Sequence, residues 1–210
     1  MTLTIESYTL GPLENRTVLC CNSANQNAII IDPAYGAEEI LADIKQNGLQ
    51  LTAIYLTHAH FDHIAGAAEL YRQTPGGIPI HLHSGDLVWW NQGGGAREFG
   101  FHIDNDVPVV ADLDPLPVID LGGSIMQVRF TPGHTPGHVI FYLPEINTAA
   151  VGDVIFRMGV GRTDLPGGDG HTLIHSIQTQ VLTLPDETIL LPGHGLETTV
   201  GFERLNNPFF

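Results

Sequence analysis

The segment LTAIYLTHAHFDHIAG, residues 51–66, constrains this chain more than any other. Its first half is a nearly unbroken apolar run, the mark of a strand covered on both faces. Its second half carries His58, His60, Asp62 and His63 within six residues. Residues two apart in extended backbone share a side, so His58 and His60 can converge on one point. Asp62 and His63 fall where HIAGAAELYRQ begins to read as a helix, and the turn aims them at a second point nearby. Zinc-type ions take imidazole nitrogen at about 2.0–2.1 Å and carboxylate oxygen at similar range. Four such ligands would crowd one ion but can feed two. A lone histidine at a strand end is ordinarily a solvated turn residue. Four ligand-type side chains beyond the carboxyl end of a buried strand, where α/β folds collect their ligands, have a different meaning.

A strand buried on both faces needs cover, and the rest of the chain provides it. TVLCCNS and NAIIIDP read as strands, each closed by a turn signal. GAEEILADIKQN places Ile40, Leu41 and Ile44 at helical spacing, with Gly48 as its stop. IPIHLHS, SIMQVRF, HVIFYLP, TAAVGDV and TILLPGHG read as further strands, and Leu173 to Leu182 as a helix. The alternation predicts the α/β class. No shift in composition marks a boundary, so residues 1–210 are expected to form a single domain. The stretch from Gly85 to Val107, with two adjacent tryptophans and three consecutive glycines, reads as a mobile surface loop or lid. Trp89, Trp90, Phe99 and Phe101 would then line or cover a cleft, with ordinary packing as the equal alternative.

Three more candidate ligands stand at similar junctions. His134 lies in TPGHTPGH, Asp153 in VGDV and His194 in PGHG, each after a strand and beside glycine, where the backbone can bend and leave room for an ion. With these motifs in this order the chain resembles the metallo-β-lactamase superfamily. The resemblance implies a four-layer αβ/βα sandwich: two mixed sheets, helices on the outer faces, and metals in a cleft at one edge between the sheets. It implies one ion held by His58, His60 and His134, and a second held by Asp62, His63 and His194, with Asp153 bridging. The cofactors would be two divalent metal ions, zinc first, with iron and manganese compatible. The runs VIFRMGVGRTDLPGGD and GFERLNNPF are similar to compact bacterial glyoxalase-II-like hydrolases, which resemble hydroxyacylglutathione hydrolase without its C-terminal helical region. The implied activity is hydrolysis of S-lactoylglutathione or a related thioester, with Asp62 doubling as the catalytic residue that orients the attacking water. Persulfide dioxygenases look similar around GRTD and would use a single iron on His58, His134 and Asp153. A metal-binding module without turnover is the alternative from another class.

Charge narrows the partners. A formal net charge of −15 repels phosphate backbones and anionic membrane surfaces, which leaves a small-molecule substrate and excludes nucleic acid and membrane. Adjacent Cys20 and Cys21 point to opposite faces of a strand and read as free thiols, which suits a reducing compartment. With neither a signal peptide nor an apolar run near the ~18 residues of a membrane span, the expected location is cytoplasmic. Of the remaining polar residues, Asp32 is read as a support for a metal-bound histidine or as a turn residue. His138 is read as structural, His81 and His83 as neighbours on one strand face, and Arg162 with Asp164 as an ion pair that locks its loop or as substrate contacts at the cleft.

Overall fold

A computed structural model of the protein describes residues 3–115 and 117–210 and gives the apolar strand its cover on both sides. The first sheet takes its strands in chain order: β1 (Leu3–Leu10), β2 (Asn15–Asn22), β3 (Asn27–Ile31), β4 (Gln50–Tyr55) and β5 (Ile80–His81). The first three pair antiparallel; β4 and β5 then add in parallel. Parallel addition needs crossovers. These are supplied by α1 (Ile40–Gln46), and by α2 (Phe61–Ile64) with α3 (Ala67–Gln73). Helix α4 (Leu87–Asn91) leads away from β5.

The second half of the chain builds the other sheet. A meander of β6 (Val118–Asp120), β7 (Ile125–Phe130), β8 (Val139–Leu143) and β9 (Thr148–Gly152) is followed by the small hairpin β10 (Ile155–Phe156) and β11 (Gly159–Val160). Helix α5 (Gly170–Ser176) starts on the Asp169 cap, whose carboxylate accepts from the Thr172 amide, and runs on into a π turn over Ile177–Val181. Then β12 (Ile189–Pro192) returns parallel to β9, and β13 (Thr198–Thr199) leads into α6 (Val200–Asn206).

The burial pattern explains the unbroken apolar runs. Along β2, Val18 and Cys20 enter the core between the two sheets, whereas Leu19 and Cys21 enter the core under the first helices. Along β8, Val139, Phe141 and Leu143 face the other sheet, while Ile140 and Tyr142 face α5 and α6. Each strand therefore feeds two cores at period two, and the layers run helix, sheet, sheet, helix, as the four-layer sandwich requires. Among the described residues no helix is long and apolar enough to cross a membrane.

The two vicinal cysteines are free and sit in different cores. Burial pushes the Cys20 thiol up to about 12 and the Cys21 thiol up to about 11. Neither is expected to react with a thiol reagent near pH 8 until the protein unfolds, whereupon two thiols should titrate. Rapid labelling of the native protein would contradict this packing.

Two expectations are corrected. The stretch from Gly85 to Val107 is not a free lid: Trp89 and Trp90 are buried in the first core. Glycine there serves close approach. Gly94, at φ 62, lets the backbone lie against α2 so tightly that a Cβ would stand 2.3 Å from the Phe61 nitrogen. Phe101 stacks on Phe61 at 5.1 Å, and Phe99 is left half exposed. Nor do His81 and His83 share a strand face. β5 ends at His81, and His83 turns to accept from the Gly85 amide while His81 pairs with Asp112 at 2.8 Å.

Candidate metal centre

All seven candidate ligands stand at one edge of the sandwich. The loop after β4 carries His58 and His60, and α2 presents Asp62 and His63. Across the seam, His134 follows β7, Asp153 follows β9 and His194 follows β12. Two ligands sharing a tetrahedral ion at 2.0–2.1 Å lie roughly 3.3 Å apart. His60 Nδ1 lies 2.9 Å from His134 Nε2, and the His58 ring is centred 4.8 Å from both rings. In the second group Asp62 Oδ2 lies 3.0 Å from His194 Nε2 and 3.7 Å from His63 Nε2. Asp153 touches both groups. Its Oδ2 is 3.7 Å from His134 Nε2 and 3.7 Å from His194 Nε2, and its Oδ1 is 3.4 Å from His63 Nε2.

These residues fit a metal on a test independent of spacing. His58 Nε2, His60 Nε2, His63 Nε2 and Asp153 Oδ1 are buried without a hydrogen-bond partner. Orphaned polar atoms in a core are costly, and a bound cation would satisfy those that face it. One ring nitrogen of each of His58, His63, His134 and His194 is tied down. Asp32 accepts from the Thr57 amide at 2.7 Å, the Thr57 hydroxyl at 2.6 Å and His63 Nδ1 at 3.0 Å. Having given its proton to Asp32, the Thr57 hydroxyl accepts from His58 Nδ1 at 3.0 Å. His134 Nδ1 donates to the Arg162 carbonyl at 2.8 Å, and His194 Nδ1 to the Leu13 carbonyl at 3.0 Å. Each bond fixes the tautomer that leaves Nε2 free as a ligand. Asp32 is thus a support, held at φ 52 in the left-handed region that aspartate tolerates.

Electrostatics divide the set in the same way. Burial drives His60 down to about 3 and also lowers His58 and His134, so these rings are neutral and ready to ligate. Burial opposes a charge on His63 and His194 as well, but the carboxylates of Asp153 and Asp62 outweigh it and raise both. Asp62 and Asp153 are lowered in return, against their own burial, by those histidines. A divalent cation bound among these carboxylates would take the place of any proton on His63 and His194 Nε2, so metal uptake would release protons. The final loop is shaped for the purpose: a Cβ at Gly193 would stand 2.3 Å from Asp153 Oδ1.

Residues 17–194 match the family model of the Metallo-beta-lactamase superfamily. This chain belongs to that superfamily. It is 37% identical over 200 residues to "Hydroxyacylglutathione hydrolase GloC" of Haemophilus influenzae, covering 88% of this chain and 87% of that one. Its fold matches "Crystal structure of TTHA1623 in a di-iron-bound form" with a TM-score of 0.85 and 40% identity, over 98% of this chain and 100% of the other. "Crystal structure of BLEG-1 B3 metallo-beta-lactamase" matches with a TM-score of 0.88 and 34% identity, over 98% and 99%.

Within the superfamily frame, the residues around the ligands find their places. His138 spends both ring nitrogens on structure: Nδ1 lies 2.9 Å from the Thr131 hydroxyl, and Nε2 accepts from the Asp153 amide at 3.2 Å. His138→Ala is therefore expected to leave metal content unchanged while costing roughly 2–4 kcal/mol of stability, read by elemental analysis and thermal unfolding. Metal loss like that of a ligand variant would make it a ligand. Arg162 and Asp164 form the expected exposed ion pair, at 2.7 Å and 2.8 Å.

Sequence reasoning missed two supports. Asp86 is fully buried and accepts from the Ala59 amide at 3.0 Å, the Thr135 hydroxyl at 2.7 Å and the Gly137 amide at 2.6 Å. It thereby ties the His58–His63 loop to the His134 loop. Arg16 holds the His194 loop through its side chain to the Pro192 and Gly195 carbonyls, and through its amide to Gly193. No local pattern marks either residue, because their partners lie 27 to 179 residues away.

Proposed function

We propose that this chain is a binuclear metal-dependent hydrolase of the glyoxalase II type, acting on S-lactoylglutathione or a related thioester. The observation that carries this reading is Asp153, whose carboxylate lies within 3.7 Å of histidines from both ligand groups. His58, His60 and His134 would hold one ion and Asp62, His63 and His194 the other; zinc, iron and manganese all accept such ligands. When bound, the pair supplies Lewis acidity to a carbonyl oxygen and lowers the pKa of a shared water towards ~7.

The chain's own residues do the rest. Asp62, with Oδ2 held at 3.4 Å by the Asn15 amide group, can accept a hydrogen bond from the attacking water and orient it. Asp153 sets the spacing between the two groups. The cavity beside them, about 480 Å³, leaves room for an acyl substrate. A thiolate is a good leaving group that needs no protonation by a general acid, and among the cavity's polar residues none but the ligand set stands in reach as an acid. GloC's name supports the thioester, and the two irons of TTHA1623 support a binuclear centre. The net charge of −15 supports a small-molecule substrate over nucleic acid, and the free buried thiols support a cytoplasmic location.

The test is elemental analysis of protein purified without a metal-binding tag, followed by assay of S-lactoylglutathione. About two metals per chain with glutathione released is the expected result. A single iron with oxygen uptake on glutathione persulfide would replace this reading with the dioxygenase. Turnover of a β-lactam alone would replace it with the activity named for BLEG-1.

A further inference from the structure

Beside the candidate ligands the cavity's lining is largely apolar: Leu13, Phe61, Phe99, Phe156, Val160 and Leu165. Leu13 and Phe99 reach solvent at its rim, and Phe99 stacks on Phe61 at 5.5 Å, so the apolar surface runs from the mouth to the ligands. Among the described lining residues Arg162 is the only arginine, and no lysine is present. Its guanidinium is taken by Asp164 through two hydrogen bonds.

Of the other cations, Arg16 and Arg157 are engaged. Arg16 is spent on the Pro192 and Gly195 carbonyls and on Glu197. Arg157, next to the lining Phe156, donates to the Glu197 carbonyl and lies over the Phe202 ring. Arg97 lines a separate depression with His102 and Asn105. The single lysine of the chain, Lys45, is on α1. A glutathione thioester brings two carboxylates, and among the described lining residues no lysine and no arginine outside an ion pair stands to replace their water. The acidic chain repels them further.

We infer that the cavity selects thioesters whose thiol arm is uncharged and apolar, with that arm lying against Phe61, Phe99 and Phe156. This rests on the thioesterase reading and narrows it. The reaction balances without any further reactant. Water gives its oxygen to the acyl carbon and one proton to the departing sulfur; the C–S bond breaks, and a carboxylate, a thiol and one proton result.

The test pairs S-benzyl thiobutyrate with S-butyrylglutathione, which share an acyl group and have alkanethiol leaving groups of similar acidity. For the metal-loaded protein, kcat/KM for the benzyl ester should exceed that for the glutathione ester by roughly tenfold or more, the effect of one well-buried aromatic contact. Phe99→Ala should raise KM for the benzyl ester severalfold and leave the glutathione ester unmoved. Asp164→Asn, which releases Arg162, should lower KM for the glutathione ester alone, and Arg97→Ala should change neither.

Binding is read separately by calorimetric titration of benzyl ethyl sulfide and S-ethylglutathione, neither of which is hydrolysed. Tighter binding of the benzyl sulfide supports the inference. Equal or preferential turnover of the glutathione ester overturns the inference and leaves the thioesterase reading standing. Hydrolysis of neither ester, with the benzyl sulfide still bound more tightly, overturns the thioesterase reading and retains the apolar selectivity of the cavity.

Discussion

Asp153→Ala is expected to strip metal from the centre and to lower turnover of S-lactoylglutathione by roughly 10³-fold or more. The size follows from what the carboxylate joins. Its two oxygens are the only contact between the His134 side of the centre and the His63 and His194 side that approaches within 3.7 Å among the ion pairs described. Without it neither group keeps its full ligand count, and the several kcal/mol of transition-state stabilisation that a bound cation supplies is lost at about tenfold per 1.36 kcal/mol. The backbone should survive, because the Asp153 amide remains bonded to His138. Metal content by elemental analysis and kcat on the reconstituted variant decide the matter. A variant that kept full metal and more than about a tenth of the activity would show that Asp153 does not bridge.

Asp86→Ala should destabilise the fold by roughly 3–6 kcal/mol and disorganise the metal centre at the same time. Three donors converge on this carboxylate from the Ala59 amide, the Thr135 hydroxyl and the Gly137 amide, and alanine would leave all three unpaired in the interior. Each buried orphan costs about 1–3 kcal/mol. Relief of the cost of burying the carboxylate, which raises its pKa, offsets part of the sum. For a chain of this size the loss is on the order of 10 °C in Tm. A wild-type melting temperature combined with weak metal binding would confine Asp86 to positioning, and an unchanged protein on both counts would remove it from the argument.

The candidate ligands were legible in the sequence because each stands in a short local pattern. H-x-H-x-D-H after LTAIYL puts four of them in one loop and one helix turn, and the glycines beside His134, Asp153 and His194 mark strand ends. The α/β class was legible for a related reason. Strands such as β2 and β8 feed a core on each face, so their apolar runs are unbroken and easily seen. The supports were hidden because hydrogen bonds between distant loops leave no periodic trace: nothing in HSGDL announces that Asp86 meets Thr135. Composition misled at residues 85–107. Three glycines and two tryptophans have the look of a flexible surface, yet positive φ at Gly94 brings that segment hard against Phe61 and sinks both tryptophans into the core.

The centre is assembled across the seam of the sandwich, with His58 to His63 supplied by one sheet and His134, Asp153 and His194 by the other. An ion bound there would act as a rivet between two sheets otherwise joined by side-chain packing and by hydrogen bonds such as those of Arg16 and Asp86. By linkage, each tenfold rise in free metal above its dissociation constant adds about 1.4 kcal/mol to the folded state for each site. Metal supply would then act on the lifetime of the protein as well as on any reaction at this edge.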